Sequence, residues 1–388
     1  MNLGLKRRIY TRLPMPIRRY ARLAYYLLSS PFGGKRKFNR FKYQIAVNQK
    51  EFINYIPPIF SIAINSSCNL RCPNCYFVLL GGEKAFEGGG MIKVEDFKAI
   101  IDRYGDHIEQ VSLTGGEALG HPKLDELVRI VKDKGIRVMV STNGVFIERK
   151  IDVLKEIDFI NVSLDGYNHE TFKKYRGGTP AEFDKILYGL DLMRQNDLKF
   201  GNSFVLSEEN IQEVDLMLEF ARTTKPYLTL FNGINPHGCE DFTPLLASSE
   251  KVQEALTRIT SRNDYPFDIE LPVIFDDQSP DFAESSCIQP WALSCFNDKG
   301  HLSYCCYIDH DPSIGNMFTE ERFNSSSMVD FRKRMINHDY PKKSCLYCHK
   351  RFMGQEYGYF HANLGKWIFQ GFGGSNAKTI HLTSSSVV

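Results

Sequence analysis

The strongest constraint on the fold of this chain is an alternation of short apolar runs and longer amphipathic stretches from residue 59 to about residue 235. Six apolar runs are typical of buried strands: Phe60–Ile64, Ile108–Leu113, Val138–Ser141, Phe159–Leu164, Phe200–Leu206 and Tyr227–Phe231. The stretches between them predict helices at Val94–Tyr104, Lys123–Lys134, Ile147–Glu156, Ala181–Gln195 and Asn210–Thr223. Because parallel βα units with right-handed crossovers curl into a barrel, the pattern predicts an α/β fold, a partial (β/α)6 TIM-like barrel.

The cysteines occur in clusters. The ten are Cys68, Cys72, Cys75, Cys239, Cys287, Cys295, Cys305, Cys306, Cys345 and Cys348. Such clustering indicates metal-bound thiols in a reducing compartment rather than a disulfide framework. We find no secretory signal pattern and no run of about 18 apolar residues, so we expect a cytoplasmic protein without a membrane-spanning helix.

Cys68, Cys72 and Cys75 follow the first predicted strand with the spacing C-x3-C-x2-C. One short loop with three thiolates can ligate three irons of a cubane iron–sulfur cluster and leave the fourth iron open. An open iron suits substrate or cofactor chemistry better than electron transfer alone. The loop therefore predicts an enzyme.

Short polar motifs follow the next predicted strands, where the loops of a βα barrel form its active face. They are Thr114-Gly115-Gly116-Glu117, Ser141-Thr142-Asn143-Gly144, Ser163-Leu164-Asp165-Gly166 and Tyr175-Arg176-Gly177-Gly178. Glycines let a backbone approach a ligand closely, and hydroxyl and amide side chains suit a ribose or a carboxylate. Each motif taken alone also fits an ordinary turn or helix cap.

Together these residues resemble the radical S-adenosylmethionine (SAM) superfamily over about residues 58–235. The resemblance implies that Cys68, Cys72 and Cys75 hold a [4Fe–4S] cluster, whose open iron binds SAM. It implies cofactor-binding roles for Tyr76, Gly115, Gly116, Glu117, Ser141, Asn143, Ser163, Asp165 and Arg176. Ala118 stands where the family usually has proline. The implied reaction is reductive cleavage of SAM to a 5′-deoxyadenosyl radical that abstracts hydrogen from a C–H bond, with a flavodoxin- or ferredoxin-type reductant. The glycine-rich stretch from residue 81 to residue 90 would be a mobile lid or a plain surface loop.

A second cysteine set resembles the twitch and SPASM auxiliary-cluster domains of the same superfamily. The resemblance implies a second [4Fe–4S] cluster on Cys287, Cys305, Cys345 and Cys348 in a small cysteine-rich C-terminal domain. Cys295 remains an alternative ligand to Cys287, and four thiolates also suit structural zinc. The Cys345-x2-Cys348-His349 pattern fits haem attachment as well, which we disfavour because no export signal is found.

Cys306 follows a proposed ligand directly, and Asp309 and Asp311 are near it in the sequence. We expect Cys306 to act as a hydrogen-atom donor and Asp309 as a base, with a buried structural cysteine as the alternative. The favoured function is oxidation or epimerisation of a polyol, sugar or lipid-linked substrate. The alternatives are a peptide- or protein-modifying maturase and a non-enzymatic iron–sulfur electron carrier.

Residues 1–50 hold 13 Lys and Arg and no acidic residue, whereas all 46 acidic residues follow them. Residues 16–30 can form a basic amphipathic helix, which favours peripheral contact with an anionic membrane surface. Docking onto the acidic body, or phosphate contacts to a nucleic acid, would also use such an arm, although no specific nucleic acid is expected.

The sequence as a whole predicts four parts: a basic arm (1–57), the barrel core (58–235), the auxiliary-cluster domain (236–370) and a flexible tail (371–388).

Overall fold

The computed structural model describes residues 33–49, 54–81, 89–234, 243–262, 264–276, 278, 287–307, 310–311, 313–319, 324–340, 343–348, 357–361 and 366–370. The predicted helix at residues 16–30, Cys239, Asp309 and the predicted tail lie outside these residues, as does most of the glycine-rich stretch. None of the described helices is long and apolar enough to cross a membrane.

The described strands form one open sheet. In chain order they are β1 (Ile59–Asn65), β2 (Gln110–Gly115), β3 (Arg137–Thr142), β4 (Phe159–Ser163), β5 (Phe200–Leu206), β6 (Leu228–Gly233), β7 (Asp268–Glu270), β8 (Leu293–Asn297), β9 (Leu302–Ser303), β10 (Tyr357–His361) and β11 (Lys366–Gln370). Their order in space is β11-β10-β7-β6-β5-β4-β3-β2-β1-β8-β9. The run from β8 to β7 is parallel, while β9, β10 and β11 join antiparallel at the two edges.

The structure describes eleven α-helices. They are α1 (Gly34–Gln49), α2 (Tyr76–Gly81), α3 (Val94–Tyr104), α4 (Leu124–Asp133), α5 (Ile147–Leu154), α6 (His169–Arg176), α7 (Pro180–Gln195), α8 (Val214–Thr224), α9 (Glu250–Thr260), α10 (Gln289–Ala292) and α11 (Ser326–Ile336). Buried residues at helical spacing, such as Phe97 and Ile101 of α3, pack against alternate strand residues such as Val111 and Leu113. This main core fixes the register of the strands, and with it the place where each strand ends.

The predicted partial barrel is confirmed, and all six predicted strands and five predicted helices are present with ends that differ by up to four residues. Two features extend the prediction. Helix α6 lies between β4 and α7 and is fixed by a capping box at Asn168 and Thr171. Strand β8, from the cysteine-rich C-terminal region, pairs with β1 over Ile59–Ala63. The C-terminal region thus adds strands to the barrel sheet itself.

Candidate active site

A cavity of about 250 Å³ opens at the carboxyl ends of the parallel strands. Ten of the predicted site residues line it: Cys68, Cys72, Cys75, Gly115, Gly116, Ser141, Asn143, Ser163, Asp165 and Arg176. Residues that are far apart in the sequence therefore meet in one place, because parallel strands deliver their following loops to the same edge of the sheet. Tyr76 begins helix α2 beside the three cysteines.

The cysteine loop is shaped by local hydrogen bonds. The backbone N–H of Cys75 donates to the carbonyl of Cys72 over 3.0 Å, and the N–H of Leu79 donates to the carbonyl of Cys75 over 2.8 Å, which starts α2. The N–H of Leu70 points at the sulfur of Cys68, 3.4 Å away. The loop thus presents its three thiols on one wall of the cavity.

Gly115 and Gly116 lie so close to the chain around the cysteine loop that neither position has room for a side chain. A Cβ on Gly116 would lie 2.3 Å from the carbonyl oxygen of Ser67, and one on Gly115 would lie 2.2 Å from that of Asn65. Gly115 also has a φ of 129°, which side chains other than glycine rarely adopt. The backbone N–H groups of Gly116 and Glu117 donate to Asn65 and Ser67 over 2.7 and 2.8 Å. Both glycines line the cavity as expected, and their closest neighbour is the backbone of the cysteine loop.

Glu117 is buried and turned toward the loop after β3. One carboxylate oxygen accepts hydrogen bonds from the Thr142 hydroxyl (2.6 Å) and the Leu119 N–H (2.9 Å), and the other accepts from the Asn143 N–H (2.7 Å). Burial raises the pKa of Glu117, and these hydrogen bonds act in the opposite direction. Both oxygens are thus engaged in holding two loops together, so this geometry makes Glu117 a positioning residue.

Asp165 and Arg176 form a buried ion pair at the cavity. Asp165 has a φ of 52°, and its carboxylate accepts hydrogen bonds from the Val205 N–H (2.7 Å) and from an Arg176 Nη (2.9 Å). Burial lowers the pKa of Arg176, but the negative charges of the nearby Asp165 carboxylate and of Cys72 in its thiolate form outweigh it and raise the pKa. The Nε of Arg176 is buried without a hydrogen-bond partner among the described residues. A buried cation with an unused donor beside two cysteines fits an anionic ligand.

Cys68, Cys72 and Cys75 are each partly buried. Burial raises the pKa of Cys68, and it raises the pKa of Cys72 to about 11. Metal ligation requires the thiolate, so binding of a metal at this loop must displace protons. The donor set, the cavity and the adjacent guanidinium together fit an iron–sulfur cluster and a small charged cofactor.

The sequence did not single out several other lining residues. Val205 lies near the end of β5, Ser207 follows it, Ile234 follows β6, and Phe77 belongs to α2. The rule that placed the earlier motifs, position at the carboxyl end of a strand, applies to Val205 and Ile234 as well. Their composition gave no signal, since apolar residues at strand ends are common in any core.

The second cysteine set gathers around Cys305. This thiol is partly buried, and its pKa is raised by burial and by the neighbouring Cys306, Cys348 and Cys287. The Cys348 N–H donates to the carbonyl of Cys345 over 3.3 Å, so both belong to one turn. No disulfide joins the nine described cysteines to one another. Among the described residues, no three His, Cys, Asp or Glu side chains stand close enough to bind a single metal ion. A cubane cluster differs in that its cysteines bind different irons.

Cys295 is buried in β8, where it pairs with Ser61 on one side and Ser303 on the other. The ligand assignment stays a prediction.

Comparisons with known proteins agree with this site. Residues 62–221 match the family model described as the Radical SAM superfamily. Fe-coproporphyrin III synthase of Methanosarcina barkeri is 32% identical over 172 residues, which are 43% of this chain and 42% of that protein. The antilisterial bacteriocin subtilosin biosynthesis protein AlbA of Bacillus subtilis is 24% identical over 267 residues, which are 66% of this chain and 57% of that protein.

The fold is similar to that of Streptococcus suis SuiB bound to S-adenosylmethionine, with a TM-score of 0.55, 14% identity, and coverage of 84% of this chain and 79% of that one. The chain spans less than half the length of the synthase, so that similarity concerns a shared domain. The chain carries a radical SAM domain. Domains of this family use a [4Fe–4S] cluster and SAM, and the thiols and cavity described above fit both.

Proposed function

We propose that this protein is an enzyme that cleaves SAM reductively and uses the resulting radical to abstract hydrogen from a C–H bond of its substrate. The observation that carries the proposal is the convergence of Cys68, Cys72 and Cys75 with the polar motifs of the next three strands on one cavity. When bound, the cluster supplies the electron for SAM cleavage. The protein supplies binding, orientation and exclusion of water.

The lining residues divide into three groups by chemistry. The three thiols ligate the cluster. The Gly115 and Gly116 backbone, the Ser141 and Ser163 hydroxyls and the Arg176 guanidinium offer contacts to the polar parts of SAM. Val205 and Ile234 provide an apolar wall for a flat ring. Tyr76, Asn143, Asp165 and Glu117 complete the predicted set, Asp165 by fixing Arg176 and Glu117 by holding the loop after β3.

The activity is tested by anaerobic incubation of the reconstituted full chain with SAM and dithionite. We expect release of 5′-deoxyadenosine from the wild type and none from Cys72→Ala. Cys295→Ala is the matched control, since this thiol lies outside both proposed clusters, and it is expected to retain release. Equal release from the wild type and Cys72→Ala, or none from either, contradicts the proposal.

An auxiliary [4Fe–4S] cluster on Cys287, Cys305, Cys345 and Cys348 is the second part of the proposal. Its support is the grouping of thiols around Cys305, together with the match to AlbA, which is longer than the radical SAM segment. Two cubane clusters predict about eight irons per chain, and the Cys305→Ala, Cys348→Ala double variant should hold about four. About four irons and one zinc in the wild type would assign the C-terminal site to zinc instead.

For the substrate we propose oxidation or epimerisation of a polyol, sugar or lipid-linked compound. The inner face of the sheet carries short uncharged polar side chains that suit a ligand rich in hydrogen-bonding groups: Ser61, Ser112, Ser141, Asn161, Ser163 and Ser203. In oxidation Asp309 would take the proton of the substrate radical, and its electron would pass to the auxiliary cluster. In epimerisation Cys306 would return a hydrogen atom to the substrate radical, and the external reductant, with a proton from solvent, would restore the resulting thiyl radical to the thiol.

A peptide-modifying maturase is the second candidate. AlbA, which matches 66% of this chain, is a bacteriocin biosynthesis protein. For either class of substrate, turnover in deuterated buffer distinguishes epimerisation from dehydrogenation. The thiol hydrogen exchanges with solvent, so a thiol that donates a hydrogen atom places solvent deuterium in the product. Epimerisation through Cys306 predicts incorporation that is lost in Cys306→Ala, whereas dehydrogenation predicts none in either protein.

Peripheral membrane contact remains part of the proposal for the basic arm. Helix α1 exposes Phe38 with Lys42 5.1 Å from its ring centroid, and Lys35 and Lys37 lie on the same helix. A basic helix with an exposed aromatic residue suits an anionic headgroup layer. Flotation with phosphatidylglycerol-containing and phosphatidylcholine-only liposomes tests it, and equal failure to float with both contradicts it.

A further inference from the structure

The side-chain amide of Asn143 has a fixed orientation in the turn after β3. Its Oδ1 accepts a hydrogen bond from the Val145 N–H over 3.0 Å. Because a backbone N–H can only donate, the oxygen must face Val145 and the Nδ2 must face the opposite way. Asn143 is 3% exposed, and its own N–H is held by Glu117 at 2.7 Å, so the residue has little freedom to turn.

The Nδ2 group points at the cysteine loop. It donates to the side-chain oxygen of Asn69 over 2.8 Å and lies 3.8 Å from the sulfur of Cys68, within the range of an N–H···S hydrogen bond. The Leu70 N–H approaches the same sulfur at 3.4 Å. Cys68 therefore has two N–H donors, one from its own loop and one from the turn after β3.

We infer that Asn143 tunes the reduction potential of the cluster on Cys68, Cys72 and Cys75 by hydrogen bonding to the Cys68 sulfur. The inference rests on the proposed function, since it requires a cluster at that loop. Reduction adds negative charge that the cluster shares with its thiolate sulfurs, and an N–H donor stabilises that charge. Asn143 thereby makes the cluster easier to reduce. This role differs from the ribose contact that the sequence motif implies.

The test is a reductive titration of the reconstituted full chain, followed by electron paramagnetic resonance without SAM. The signal of the open-iron cluster is recognised beforehand as the one that changes when SAM is added. Asn143→Ala removes the donor, and Asn143→Asp keeps the size of the side chain and the acceptor for Val145 while replacing the donor with a carboxylate. We expect midpoints in the order wild type, Asn143→Ala, Asn143→Asp, from least to most negative. A tenfold loss of reduced cluster at fixed potential corresponds to about 59 mV for this one-electron couple.

Ser163→Ala is the matched control, because Ser163 lines the cavity from β4 and approaches no cysteine sulfur in any described hydrogen bond. It should weaken SAM binding and leave the midpoint at the wild-type value. An unchanged midpoint in Asn143→Ala together with weakened SAM binding would make Asn143 a cofactor contact and overturn the inference. Loss of iron from both Asn143 variants would also overturn it, by making the residue a structural part of the loop.

Failure of the proposed function gives a different result. In that case the wild type itself shows no SAM-responsive cluster signal and no 5′-deoxyadenosine. If the wild type shows both the signal and the 5′-deoxyadenosine, and the Asn143 variants have the wild-type midpoint, then the tuning role of Asn143 is refuted. The enzyme assignment stands in that case.

Discussion

At the scale of single residues, the site depends on how closely the cysteine loop is approached by its neighbours. Gly177 ends α6 with a φ of 64°, and a Cβ there would lie 2.5 Å from the carbonyl oxygen of Arg71, next to Cys72. Gly135 has the same φ of 64°, but nothing lies within 4 Å of its Cβ position. The two glycines share a backbone conformation and differ in what surrounds them.

This pair gives a direct prediction. Both Gly177→Ala and Gly135→Ala should lose about 1–2 kcal/mol of unfolding free energy, the cost of a left-handed conformation in a residue with a Cβ. Only Gly177→Ala should also lose iron, because the clash displaces the backbone next to Cys72. Iron per chain and denaturant unfolding measure the two effects. Equal iron in both variants would show that the loop tolerates the shift.

Glu117 supports a second prediction at this scale. In Glu117→Gln an NH2 group replaces one acceptor, so at least one of the three donors it serves is left buried and unsatisfied. We expect a loss of about 1–3 kcal/mol in unfolding free energy. Glu126→Gln, on the exposed face of α4, should change it by less than about 0.5 kcal/mol. Similar effects for the two variants would contradict the positioning role.

At the scale of elements, β8 connects the C-terminal region to the cysteine loop. It lies parallel to β1, and Asp298 directly after it accepts a hydrogen bond from the Ser66 hydroxyl over 2.5 Å. The segment after the glycine-rich stretch is held nearby, since Ser66 N–H donates to Gly90 and Ile92 N–H donates to Ile64, both over 2.9 Å. The start of the cysteine loop is therefore clamped from two sides.

A double-mutant cycle tests this clamp. Ser66→Ala and Asp298→Ala should each destabilise the protein, and the double variant should cost less than their sum by about 0.5–3 kcal/mol, the usual range for residues in direct contact. The unfolding free energies of the four proteins give the coupling. Strict additivity would mean that the hydrogen bond adds nothing to stability.

At the scale of the whole molecule, a second apolar cluster joins the two ends of the described chain. Tyr43 of α1, Tyr55 before β1, Trp291 of α10 and Phe331 of α11 pack together, and the Tyr55 hydroxyl donates to the Trp291 carbonyl over 2.9 Å. Cys287 packs against the same cluster. The basic N-terminal helix therefore buttresses the region of the proposed auxiliary cluster.

Removing a side chain from the second apolar cluster should therefore lower the stability of the protein and also affect the C-terminal iron site. Tyr43→Ala is expected to cost about 3–5 kcal/mol, the range for removing a large aromatic side chain from a core. We also expect reduced iron at the C-terminal site. Tyr188→Ala, at a side chain that is 52% exposed, is the control and should preserve both quantities. If Tyr43→Ala holds as much iron as the wild type, the N-terminal helix does not support the proposed auxiliary cluster.

Several features could be predicted from sequence because their signals are local. Apolar periodicity located the six barrel strands, and the spacing of Cys68, Cys72 and Cys75 indicated their shared loop. The position of the polar motifs after strands predicted their convergence, since all parallel strands end at one edge. Helix α6 was missed because its few buried residues give a weak periodic pattern.

The sequence by itself determined the strand and helix pattern, the cysteine loop and the family of chemistry, since these depend on residues within a few positions of each other. Only the tertiary structure decided that β8 pairs with β1 and that Glu117 faces Thr142 and Asn143. Each of these is a contact between distant segments. Such contacts are chosen by the packing of the whole core and by the need to satisfy buried polar groups, which no local pattern records.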